Sequence, residues 1–69
     1  MVTQPVSSSD IRSVGYDRDT QVLEIEFHSG GSYQYSNVPG SVYVGLMSAG
    51  SHGRYFHDFI KGKYPYRRV

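Results

Sequence analysis

The chain has 69 residues, no cysteine, 38% hydrophobic and 19% charged side chains, and a formal net charge of +1. A chain this short buries only about 60% of the surface its unfolded form exposes, so one core consumes nearly every large apolar residue and a deep catalytic pocket is not expected. Disulfides and thiolate metal sites are excluded outright, and no apolar run approaches the roughly 18 residues of a membrane span.

Residues 1–9, MVTQPVSSS, are polar and aperiodic, which predicts a flexible lead-in, with a single domain over 10–69. From Ile11 to Tyr16 a partial alternation places Val14 and Tyr16 on one strand face, with Gly15 between them at a bulge or a close backbone approach. Asp17-Arg18-Asp19-Thr20 then reads as a turn. The clearest strand is Gln21 to Phe27, where Leu23, Ile25 and Phe27 share one face opposite Val22, Glu24 and Glu26. His28-Ser29-Gly30-Gly31 supplies hairpin glycines, and Tyr33 and Tyr35 resume the alternation.

Beyond Pro39 the period changes. Val42, Tyr43, Leu46 and Met47 form one helical stripe, and Tyr55, Phe56, Phe59 and Ile60 repeat it after a break at Ala49-Gly50. Ser51 is placed to cap the second helix, and Gly62 and Pro65 stop it. The expected fold is therefore α+β, a three-stranded antiparallel β-meander followed by two short helices packed on one face, in the order β-β-β-α-α. Phe27 and Phe59 are expected in the shared core.

Charge is unevenly distributed. Residues 1–53 carry −3, whereas residues 54–69 carry +4 through Arg54, Lys61, Lys63, Arg67 and Arg68 against Asp58. Tyr64 and Tyr66 interleave with these cations, a mixture that suits phosphates and unpaired bases. Tyr33 and Tyr35 would offer stacking platforms if exposed, or core area if the helices cover them. Ser51, Gly53 and Arg54 resemble an anion site at a helix start, with ordinary capping as the plain alternative. His28, His52 and His57 lack ligand-like spacing, so no metal, cofactor or catalytic residue is assigned.

Several short motifs in order resemble the KTSC domain, a module named for its place at the C-terminus of some lysyl-tRNA synthetases and also found as small free-standing bacterial proteins. They are Gly15-Tyr16-Asp17, L-x-I-x-F from Leu23 to Phe27, Tyr33-Gln34-Tyr35, Val38-Pro39 and Val42-Tyr43. S-x-G-x-Y-F from Ser51 to Phe56 and I-x-x-x-Y-x-x-x-R from Ile60 to Arg68 complete the set. The family has no established biochemical activity, and its association with a tRNA synthetase implies RNA binding. The reading is a cytoplasmic, monomeric, non-catalytic binding module without membrane association. Its expected partner is RNA, single-stranded or tRNA-like, held by Tyr33, Tyr35, Ser51, Gly53, Arg54, Lys61, Lys63, Tyr64, Tyr66, Arg67 and Arg68. A protein partner, docked on an exposed strand edge or apolar patch, is the alternative.

Overall fold

The computed structural model describes all residues, 1–69. Five antiparallel strands, β1 (Gln4–Pro5), β2 (Ile11–Asp17), β3 (Val22–Phe27), β4 (Ser32–Tyr35) and β5 (Tyr66–Arg68), pair in sequence order. Two helices, α1 (Gly40–Ser48) and α2 (His52–Phe59), are inserted between β4 and β5. The α+β class and the central meander agree with the sequence, but the sheet has five strands rather than three. Each extra strand is too short to show a period. β1 comes from the segment expected as a lead-in and opposes Gln4 to Val14, while β5 comes from the basic tail and opposes Tyr66 to Tyr35.

The turns follow local chemistry. Asp17 closes the β2–β3 connection by accepting from the Asp19 and Thr20 amides at 2.9 and 3.4 Å, an Asx turn. Gly30, at φ 105, sits where the β3–β4 hairpin requires a positive φ. The bulge lies one turn of sequence earlier than Gly15, between Ile11 and Ser13. Gly15 serves the other purpose, since a Cβ there would fall 2.8 Å from the Val2 carbonyl oxygen, so only glycine admits the N-terminal segment so closely.

Strand register puts Val14, Leu23, Ile25 and Tyr35 on one face, where they meet Leu46 of α1 and Phe56 and Ile60 at the end of α2. Ile11 and Val38 complete the core. Tyr16 joins sheet to helices twice, stacking on Tyr43 at 4.8 Å and donating its hydroxyl to the Val38 carbonyl. Phe27 packs edge-on against Phe56 at 5.4 Å and is half-buried. Phe59 departs from expectation, being 56% exposed and lying against Tyr55 instead of the sheet. A helix of eight residues is too short to bury a wide stripe, and Phe56 and Ile60 already fill its inward face.

The opposite sheet face is polar. Gln34 donates to Glu24 at 2.8 Å and accepts from Arg67 at 3.2 Å, while Ser13 donates to Glu26. No helix is long and apolar enough to cross a membrane.

Candidate nucleic-acid interface

The helices stop short of the sheet's β5 end, and the gap is aromatic. Phe27, Tyr33, Tyr35 and Tyr66 from the strands, Phe56 from α2 and the Lys61-Gly62 turn enclose a groove of about 340 Å³. Gly62 has φ 76, a left-handed conformation that turns the chain out of α2 and back toward β5. Pro65 and Ser36 then begin the β4–β5 pairing, with the Ser36 amide donating to the Pro65 carbonyl at 2.9 Å.

Within the groove the rings hold one another. Tyr66 lies 5.7 Å from Tyr33 and 5.6 Å from Tyr35, and Tyr35 packs edge-on against Phe56 at 5.5 Å. Tyr35 is 5% exposed and forms the floor, whereas Tyr66 is 62% exposed and keeps most of its ring in solvent at the rim. The Arg68 guanidinium sits 6.0 Å from the Tyr33 ring centre, at the outer limit of a cation–π contact. Burial chiefly, with the neighbouring phenols of Tyr66 and Tyr33 adding to it, pushes the Tyr35 hydroxyl from 10.0 up to about 12.

Lys61, Phe27 and Phe56 also line a second depression of about 340 Å³, together with Asp10, His28, Gly53 and His57. The two depressions share Phe27, Phe56 and Lys61 as a common wall, and Asp10 lines only the second. An ideal Cβ on Gly53 would lie 3.0 Å from the Asp10 carboxylate, so that glycine makes room for Asp10 beside the first turn of α2. A carboxylate there complements the helix dipole and repels a phosphate.

The expected site residues are therefore divided. Tyr33, Tyr35, Lys61, Tyr66 and Arg68 come together at the groove. Ser51 caps α2 in the ordinary way, its hydroxyl accepting from the Arg54 amide at 3.3 Å. Arg54 turns along the helix toward Asp58 at 3.6 Å, away from an anion at the helix start. Arg67 lies on the polar face with Gln34, Lys63 is exposed on the turn after α2, and Tyr64 packs against the core. Phe27, Phe56 and Gly62 complete the groove. Sequence reading placed the two phenylalanines in the core and Gly62 only as a helix stop. The β5 pairing that brings Tyr66 over Tyr35 joins residues 31 positions apart, and no local pattern announces it.

The KTSC domain model matches residues 7–64. The chain belongs to the KTSC domain family. The crystal structure of a KTSC domain protein from Yersinia pestis is 50% identical, superposes with a TM-score of 0.97, and covers 99% of this chain and 96% of that one. An uncharacterized protein of Stutzerimonas stutzeri is 45% identical over 93% of this chain and 92% of its own length. A lysine–tRNA ligase of Trichormus variabilis is 46% identical over 88% of this chain, a stretch that makes up 11% of the ligase. The KTSC domain thus occurs both as most of a small protein and as a minor part of a large RNA-charging enzyme.

Proposed function

We propose that this KTSC domain is a non-catalytic RNA-binding module whose contact surface is the aromatic groove between α2 and β5. The observation that carries the reading is Tyr66, which is 62% exposed over a floor of packed tyrosines, with cationic side chains on the adjacent turn and strand. Exposed rings accept stacked bases at about 1–3 kcal/mol each, and Lys61 and Arg68 neutralise flanking phosphates. The ligase relative supports RNA as the partner, since a tRNA is that enzyme's substrate by name.

The test is an NMR titration with single-stranded and hairpin RNA at low salt. Shift changes should centre on Tyr33, Lys61, Gly62, Tyr66 and Arg68 and fade as salt is added. No perturbation at low salt, where electrostatic attraction is strongest, would sink the proposal. A protein-docking reading has its own supports, the outer edge of β5 and the exposed Phe59 ring. It predicts binding that changes little with salt.

A further inference from the structure

The second depression differs from the groove in its lining. Ser9, Asp10, His28, Ser29 and His57 give it hydroxyls, imidazoles and a carboxylate in place of tyrosines. Asp10 is held there through its backbone, its amide donating to the Ser8 hydroxyl at 3.3 Å and its carbonyl accepting from the His28 amide at 3.0 Å. The nearby cations turn to another acid, since Arg54 and His57 both lie 3.6 Å from Asp58. The Asp10 carboxylate is therefore open to a ligand. An ionised carboxylate only accepts hydrogen bonds, so it favours a neutral donor and repels a phosphate. The common wall of Phe27, Phe56 and Lys61 sets this depression beside the stacking rings. In a nucleic-acid strand the sugar stands next to the base, and the only hydrogen-bond donor on that sugar is the 2′-hydroxyl of ribose.

We propose that the Asp10 depression takes the ribose of a nucleotide whose base lies in the groove, with the carboxylate accepting from the 2′-hydroxyl, so that the domain selects RNA over DNA. The inference rests on the RNA-binding reading and adds sugar recognition to it. Stacking and phosphate neutralisation, the two contacts of that reading, are available to both nucleic acids. The 2′-hydroxyl is the group by which a protein tells them apart. Carboxylates bind the same ribose hydroxyl in dinucleotide-binding folds.

The experiment compares oligomers of uridine, deoxyuridine and 2′-O-methyluridine, each about eight nucleotides long, by fluorescence anisotropy on the unaltered domain. Base and phosphate number are the same in all three, so the sugar is what differs. Oligouridine should bind about tenfold more tightly than oligodeoxyuridine, in keeping with one hydrogen bond to a charged acceptor. The methylated oligomer keeps a ribose that cannot donate, and should bind no more tightly than the deoxy form. Asp10→Ala should bring the ratio of ribo to deoxy affinity close to one, whatever the loss of charge does to both. Asp58→Asn removes a carboxylate outside the depression and should preserve the ratio. Equal binding of the ribo and deoxy oligomers by the unaltered domain overturns sugar recognition and leaves RNA binding standing. A ribo preference that survives in Asp10→Ala, or that extends to the methylated oligomer, does the same. Binding of none of the three at low salt overturns both.

Discussion

Phe56 and Phe59 lie three residues apart on α2, yet only the first is covered. Phe56 is 8% exposed and touches Phe27 and Tyr35, so Phe56→Ala should cost about 3–5 kcal/mol, most of what a domain this size has. Phe59→Ala, at 56% exposed, should cost less than about 1 kcal/mol. Urea denaturation of the two variants checks the pair, and equal losses would place Phe59 in the core after all. Tyr35 gives a second, pH-dependent prediction. The unfolded hydroxyl ionises near 10.0 and the folded one near 12, because burial opposes the phenolate. Over that interval the unfolded state is the one that releases the proton, so the Tyr35 contribution is intact below pH 10 and is lost as pH rises to about 12. The parent's urea midpoint should therefore fall relative to that of Tyr35→Phe across this window. A gap independent of pH would mean the hydroxyl is not buried as described.

At the scale of elements, the sequence reported the parts that have a period or a turn signature. β2, β3 and β4 alternate over four to seven residues, and α1 and α2 carry stripes with Ser51 and Gly62 at the ends. β1 and β5 have two and three residues, all exposed, and no alternation can be read from so few. They exist because β2 and β4 would otherwise leave unpaired edges, a tertiary cause invisible in local sequence. The same limit hid half the groove, since Tyr66 meets Tyr35 only through β5. Two predictions belong here. A chain beginning at Val6 should still unfold cooperatively, because it loses only the short β1 pairing and the cover over Gly15. One beginning at Asp10 should melt lower, having also lost Ser8, whose hydroxyl accepts from the Asp10 and Ile11 amides and whose carbonyl meets His28 at 2.9 Å. Identical melting of the two would show that Ser8 does not anchor β2. Between the helices, Gly45→Ala would drive a methyl into the Tyr55 ring. Overpacking of that kind should cost about 1–3 kcal/mol by urea denaturation, and no loss at all would mean that the Tyr55 side chain swings aside without penalty.

Across the whole molecule, the +4 of residues 54–69 does not form one surface, because strand alternation in β5 sends successive arginines to opposite faces of the sheet. Arg68 goes to the aromatic face with Tyr33, and Arg67 to the polar face, where Gln34 holds it at 3.2 Å and Glu24 lies beyond. Composition alone would give the two arginines equal standing as phosphate ligands. In the proposed interface that work falls to Lys61 in the groove lining and to Arg68 beside Tyr33, and Arg67 stays with the sheet. Replacing Lys61 and Arg68 together with Gln should remove two phosphate contacts and flatten the log–log salt dependence of RNA affinity by about 1.4. The domain itself should melt almost unchanged, since solvated cations add little stability. Arg67→Gln should leave both the slope and the affinity close to the parent's, although it carries the same change of charge. Anisotropy titrations over a range of salt concentrations distinguish the outcomes. Equal flattening per charge removed, whichever arginine is replaced, would mean that RNA senses only the net charge of the tail and that the groove between α2 and β5 is not where it binds.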